Sequence, residues 1–315
     1  MSHARIGIVA IGRNEGKRLE ACLRSASGGG WPIVYVDSGS TDDSLVIARS
    51  LGAEVVQLDL SMPFTAARSR NAGFQRLLEL HPDVEFVQFV DGDCQFMPGW
   101  LSEAERFLRS HPRVAVVCGR RREKHPEASI YNHLCDMEWD TPTGCVKACG
   151  GDAMVRVAAF QEAGGYNPEM IAGEEPELCF RLRQLGWEIH RIDRDMTLHD
   201  ADMTRFRQWW KRNIRAGHAY AENYSRHGRA PEHFRRKEVI SNFIWALPPM
   251  WLLWPWLWFR LYRHRRDVWY ACFVTLGKIP QALGQLQYWW NRARGRRTRL
   301  IEYKQFAGGR LPISG

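Results

Sequence analysis

Between Ile6 and about Ile192, short apolar runs alternate with stretches whose apolar residues recur at helical spacing. Ile6–Ile11 reads as a strand and Glu15–Ser27 as a helix. Ile33–Val36 is a second strand ending in Asp37, and Ser40 and Thr41 stand where a helix running to about Ser50 needs a cap. Glu54–Leu58 is a third strand, Phe64–Leu80 a longer helix and Glu85–Val90 a fourth strand. Nearly continuous apolar strands separated by helices predict an α/β fold with a mainly parallel sheet covered on both faces. Ligands of such sheets bind beyond the carboxyl ends of the strands. Asn14, Asp37, Asp91 and Asp93 all follow strand ends, so a single crevice is expected to collect them.

After about Arg235 the pattern changes. Phe243–Phe259 is apolar throughout, rich in Trp and interrupted by Pro248, Pro249 and Pro255. Arg260, Arg263, His264, Arg265 and Arg266 follow, then a second apolar stretch, Val268–Ile279, then Tyr288-Trp289-Trp290 and a basic run over Arg292–Arg299. Seventeen residues with three prolines make a poor straight membrane span. Trp favours the interfacial layer of a bilayer, and Arg beside it pairs with anionic headgroups. The expectation is a C-terminal helical, membrane-associated region over 226–315, amphipathic or re-entrant in the cytoplasmic leaflet, after a catalytic domain over 1–225. A buried dimerisation patch is the alternative.

Charge sharpens this picture. The chain of 315 residues carries a net +9, with a pI near 9.3, so it seeks nucleic acid, anionic lipid or phosphorylated ligands. Its eight Cys contain no C-x-x-C pair and no Cys/His zinc spacing, which points to reduced thiols. Met1–Arg5 runs straight into the first strand without a leader pattern.

The chemistry starts at Asp91-Gly92-Asp93. Two carboxylates one residue apart at a strand's carboxyl end can hold Mn²⁺ or Mg²⁺, which complete their shells with water and phosphate oxygens. A surface turn is the plain alternative. Arg70, on a helix aimed at the same crevice, is a candidate for contacting a diphosphate, and a solvated helix face is its rival reading. His199, after Asp193–Leu198, is a candidate to complete the metal shell, although a lone His is often structural. Glu174, Glu175 and Glu177 suit either a helix start or a catalytic carboxylate. Trp209 or Trp210 is a candidate floor for an acceptor sugar, with ordinary packing as the alternative.

Several segments in order resemble the signatures of family 2 glycosyltransferases. They are Ile8-Val9-Ala10-Ile11-Gly12-Arg13-Asn14-Glu15, Val36-Asp37-Ser38-Gly39-Ser40-Thr41-Asp42, Ser69-Arg70-Asn71-Ala72-Gly73 and Asp91-Gly92-Asp93. Gly150-Gly151-Asp152-Ala153-Met154 and Gly164-Gly165-Tyr166 then precede Gly173-Glu174-Glu175-Pro176-Glu177-Leu178-Cys179-Phe180-Arg181-Leu182. The resemblance covers roughly residues 5–220 and implies a Rossmann-like sheet of the A-type glycosyltransferase fold, a nucleotide-diphosphate sugar, a divalent cation and inversion at the anomeric carbon. By resemblance, Asp37 holds the nucleoside through uracil or ribose, Asp91 faces the ribose and diphosphate, Asp93 ligates Mn²⁺ or Mg²⁺, and Glu175 stands where the family's catalytic Asp usually does. Two departures stand out. Ser38 replaces a second Asp, which opens the identity of the base, and Glu175 lengthens the reach of the catalytic carboxylate.

Chemistry and resemblance together lead to an expected hexosyltransferase, metal-dependent and inverting, using a UDP-sugar. The expected acceptor is a glycan or lipid-linked saccharide in envelope or exopolysaccharide synthesis, met at the cytoplasmic face of the bacterial inner membrane. Between Glu174 and Glu175 the choice of base stays open at this level. A nucleotidyltransferase is the nearer rival, yet Gly12-Arg13-Asn14-Glu15-Gly16 lacks the form of a phosphate loop. A nucleic-acid-binding protein is the more distant one. Its stacking aromatics would interleave with Lys and Arg, whereas here they form apolar blocks flanked by charge, so no nucleic-acid partner is expected.

Overall fold

A computed structural model describes residues 6–298 and 300–302. The start of the chain, Met1–Arg5, and its end beyond Glu302 lie outside the described residues, as does Arg299.

The first half follows the expected alternation. Strand β1 (Ile6–Gly12), helix α1 (Lys17–Ala26), β2 (Ile33–Asp37), α2 (Ser44–Ser50), β3 (Glu54–Gln57), α3 (Ala66–Leu80) and β4 (Phe86–Asp91) succeed one another. β1 pairs in parallel with both β2 and β4, and β2 in parallel with β3. The register sets Gly12 beside Asp37 and Ile11 beside Asp91, so the strand ends form one edge. Buried apolar side chains of β1, β2 and β4 sit between the helices, which is why these strands read as unbroken hydrophobic runs.

The expected helix cap takes a different form. Asp43 precedes α2 without a side-chain bond to it, because Ser40 is engaged elsewhere: its Oγ donates to Asp37 and accepts from Asn14 N. Thr65, by contrast, caps α3 by accepting from Arg68 N.

The second half corrects the mainly parallel sheet to a mixed one. β5 (Cys94–Phe96), α4 (Trp100–Ser110), β6 (Val114–Glu123), α5 (Ile130–Trp139), β7 (Gly144–Cys145) and β8 (Ala153–Arg156) are followed by α6 (Val157–Glu162), α7 (Glu174–Gln184) and β9 (Glu188–His199). The strand order is β3-β2-β1-β4-β8-β6-β9-β5, with β7 beside β9. β8 runs antiparallel to β4 and β6, and β5 antiparallel to β9, while β6 and β9 run parallel.

α8 (Phe206–His227), α9 (Arg236–Ala246), α10 (Trp254–Arg265), α11 (Val268–Leu276) and α12 (Lys278–Ala293) complete the chain. The expected domain boundary near 225 falls inside the last turn of α8. α8 packs closely on α12, where a Cβ on Gly217 would collide with the Gln281 carbonyl. Pro248 and Pro249 stop α9 and force a single 3₁₀ segment, Pro248–Leu253, and Pro255 sits in the first turn of α10, where a missing N–H costs nothing. Among the described residues, no helix is long and apolar enough to cross a membrane.

Candidate active site

The carboxyl edge of the sheet opens into a cavity of about 510 Å³. It is lined by Arg13, Ser38 and Phe64, by Arg70, Asp91 and Asp93, and by Trp139, Glu174, Glu175, Arg212 and Tyr220. Leu300 and Glu302 also line it, because the chain returns over the mouth and Glu302 pairs with Arg13 at 2.7 Å.

Its floor is a network of buried charges. Arg70, on α3, donates from Nη2 to Asp91 Oδ1 at 2.9 Å and from Nη1 to Glu174 Oε1 and Glu175 Oε1 at 2.9 and 3.1 Å. Arg121, on β6, reaches Asp91 Oδ2 at 2.8 Å and both oxygens of Asp152 at 2.9 Å. Asp152 in turn accepts from Asp91 N at 3.1 Å and from Thr197 Oγ1 at 2.7 Å. Both carboxylate oxygens of Asp91 therefore face guanidinium groups. Burial opposes its ionisation, but Arg70 and then Arg121 hold its carboxyl below the usual carboxylate range.

Gly151 makes this crowding possible. A Cβ there would lie 2.6 Å from Arg70 Nη2 and 3.2 Å from Glu175 Oε1, so the Gly150-Gly151 turn can approach only without a side chain.

Glu174 and Glu175 begin α7 and share one arginine nitrogen, yet they differ in access. The Glu174 side chain is 4% exposed and that of Glu175 16%. Burial first, then the neighbouring Glu174, push the Glu175 carboxyl up to about 7. A carboxylate with that proton affinity, open to the cavity, suits a general base at neutral pH. Glu175 is therefore the better placed of the two.

Asp93 and His199 meet although 106 positions separate them. β9 runs between β5 and β6, with His199 opposite Cys94 on one side and Glu123 on the other. His199 Nε2 lies 3.5 Å from Asp93 Oδ2, and its Nδ1 is buried without a hydrogen-bond partner. Burial, then Arg121, lowers the imidazole's proton affinity, leaving it in the neutral form that ligates cations. The ligand atoms of Asp93, Cys94 and His199 lie within 4.8 Å of one another. Burial keeps the Cys94 thiol protonated, and Mn²⁺ and Mg²⁺ prefer oxygen and nitrogen donors. The donor set thus fits a hard divalent cation held by Asp93 and His199.

Other expected residues shape the cavity indirectly. The Asp37 carboxylate accepts from Gly39 N and Ser40 N at 2.9 Å, from Ser40 Oγ at 2.5 Å and from Tyr35 Oη at 3.2 Å. Asn14, at a positive φ of 56°, accepts from Thr41 N at 2.7 Å. Together they clasp the loops after β1 and β2. Neither residue is among those lining the cavity. Trp209 packs edge-on against Phe273 at 4.9 Å, and Trp139 lines the cavity instead. Arg121, Asp152 and Trp139 were not singled out from sequence for roles. Arg121 is hidden in Arg120-Arg121-Arg122, which reads as a surface charge run, and Asp152 had only its place in a glycine-rich motif.

With this geometry in view, comparisons with known proteins are decisive. Residues 8–161 match the family described as Glycosyl transferase family 2. Residues 8–161 are thus a family 2 glycosyltransferase domain. The chain is 27% identical over 245 residues to the pre-mycofactocin glycosyltransferase of Mycobacterium tuberculosis, covering 72% of this chain and 49% of that protein. It is 27% identical over 197 residues to a probable glucomannan 4-beta-mannosyltransferase 15 of Arabidopsis thaliana, covering 56% and 36%. The chain thus spans about half or less of the length of the curated relatives it matches. Among solved structures, the mannosyltransferase PcManGT from Pyrobaculum calidifontis, in complex with GDP-Man and Mn²⁺, superposes with a TM-score of 0.64 at 18% identity, covering 91% of this chain and 88% of that one. S. aureus TarS gives 0.54 at 14% identity, over 90% and 55%. These likenesses give the fold, an A-type glycosyltransferase architecture with a mixed sheet.

Proposed function

We propose that this chain is an inverting, divalent-cation-dependent glycosyltransferase that moves a hexose from a nucleotide-diphosphate sugar to an acceptor hydroxyl. The observation carrying this reading is that Asp93 and Glu175 line one cavity with the Arg70–Asp91 pair, while His199 stands behind Asp93, its Nε2 3.5 Å from the carboxylate. In it, Asp93 and His199 would hold the cation, which would supply charge neutralisation for the departing diphosphate. Glu175 takes the proton of the attacking hydroxyl. Arg70 fixes the direction of Glu175 by sharing Nη1 between it and Glu174. The Asp37 and Asn14 loops build the nucleoside end, and Arg13 over the Phe64 ring, 4.7 Å from its centroid, walls that end.

Two donors divide the reading. A UDP-hexose follows from the family pattern. A GDP-mannose donor is the second possibility, because several relatives are named mannosyltransferases and PcManGT is described with GDP-Man. The acceptor is a lipid-linked saccharide in envelope or exopolysaccharide assembly, met at the cytoplasmic face of a bacterial inner membrane. That part draws its support from the C-terminal helices.

Thermal unfolding with UDP, GDP and their sugars, each with and without Mn²⁺, tests the donor. Ligand at about 100 times Kd stabilises by about 2.7 kcal/mol. One nucleotide series is expected to raise the midpoint only when Mn²⁺ is present. No shift with any nucleotide contradicts the proposal.

A further inference from the structure

The C-terminal helices leave an unusual amount of apolar surface uncovered. Of the 19 exposed large hydrophobic side chains among the described residues, 13 lie between Ile240 and Trp290. They form stripes, each bordered by cations. On α10, Trp256 and Phe259 are 55% and 54% exposed, with Arg260 and Arg263 continuing the same face. On α12, Leu283, Leu286 and Trp290 are about one turn apart and exposed, and Arg294 lies over the Trp290 ring at 3.9 Å. On α9, Ile240 and Ile244 follow Arg236 and Lys237. α10 buries only Leu257, and Leu252, in the turn before it, is 85% exposed.

The charge is as segregated as the apolar surface. Between Arg236 and Arg297, eleven Arg and Lys face two acidic residues, Glu238 and Asp267. That surplus equals the net +9 of the whole chain, so the rest of the sequence is balanced. Asp267 is itself engaged by His133 at 2.9 Å and by Tyr270 N. A second copy of this chain would bring two such surfaces into repulsion. An anionic bilayer interface matches both properties, since Trp and Leu enter the headgroup boundary while Arg meets lipid phosphates.

We propose that α9, α10 and α12, with the turn at Pro248–Leu253, form a docking surface for an anionic lipid membrane, lying on its interface without crossing it. The surface connects to the cavity through α8, which packs on α12 and contributes Arg212, Arg215 and Tyr220 to the cavity wall. This deepens the reading of a lipid-linked acceptor and rests on it for biological meaning. Vesicle binding is nevertheless measured without donor or turnover, so its failure is separate from failure of the sugar-transfer reading.

The test is flotation of the full chain with phosphatidylcholine vesicles, alone or containing phosphatidylglycerol. Binding is expected to the anionic vesicles and to weaken steeply at about 1 M salt, where the Debye length is about 3 Å. The variant R260Q/R263Q/R266Q removes three cations at about fivefold each and is expected to lose roughly 100-fold in partitioning. The variant L252S/F259S/L286S alters only side chains at least half exposed, so its unfolding midpoint should not move while its flotation is lost. Absence of binding by the full chain, or equal flotation of either variant, would overturn the proposal. So would a sedimenting dimer that shields these side chains.

Discussion

Replacing Glu175 by Gln is expected to lower kcat by roughly 10²–10⁴-fold, the range a positioned general base contributes, while leaving the Kd for nucleotide with Mn²⁺ close to its original value. The substitution keeps the shape of the side chain and an acceptor for Arg70, but removes the proton-accepting carboxylate. Its pH signature separates a base from a mere packing residue. Burial and then Glu174 raise the Glu175 carboxyl to about 7. The group is therefore protonated and idle below that value and ionised above it. The parent's kcat/KM should rise about tenfold per pH unit up to about pH 7 and level off beyond. The Gln variant should lose that limb. A residual rate that still climbs with the same midpoint would assign the base elsewhere, with Glu174 the first candidate.

Asp93→Asn should have a comparably large effect of a different kind. A cation at this position supplies several kcal/mol of charge stabilisation, and each 1.36 kcal/mol is tenfold in rate. Turnover is expected to fall by about 10²–10⁴-fold, and the Mn²⁺-dependent part of nucleotide affinity should disappear as well. Glu175→Gln thus damages kcat alone, whereas Asp93→Asn damages both kcat and donor binding. Calorimetric titration of nucleotide with and without Mn²⁺ distinguishes the two. Unchanged Mn²⁺ dependence in Asp93→Asn would remove this residue from the metal site.

The parts of the fold legible in the sequence were those where one physical signal dominates. β1, β2 and β4 are buried on both faces, so their runs of Ile, Val and Phe announce a central parallel sheet. β9 announces nothing comparable. Glu188–His199 carries four charged residues among its interior ones and no continuous apolar run, so the sequence does not mark it as a strand although it delivers His199 to Asp93. β8 has four residues, too few to show that it runs against its neighbours. The mixed character of the sheet follows from these two strands.

The same distinction governs the site. Asp91, Asp93 and Glu175 lie in compact motifs whose chemistry is visible at close spacing. The Arg121–Asp152–Thr197 cluster joins β6, the turn before β8 and β9 through side chains 31 and 45 positions apart. Only the fold shows that two arginines occupy Asp91, which leaves Asp93 as the carboxylate beside His199. The prolines of the C-terminal region were readable as breaks. The way they arrange Trp-bearing stripes around a positive rim required the helices themselves.

Crystals grown with the nucleotide selected by thermal unfolding and with Mn²⁺ give the most direct check on the central claim. An anomalous difference map at the manganese edge should show one peak bonded to an Asp93 oxygen and His199 Nε2, with diphosphate oxygens completing its shell and Glu175 facing the sugar across the cavity. A peak ligated by other residues, or a diphosphate bound away from Asp93, would contradict it.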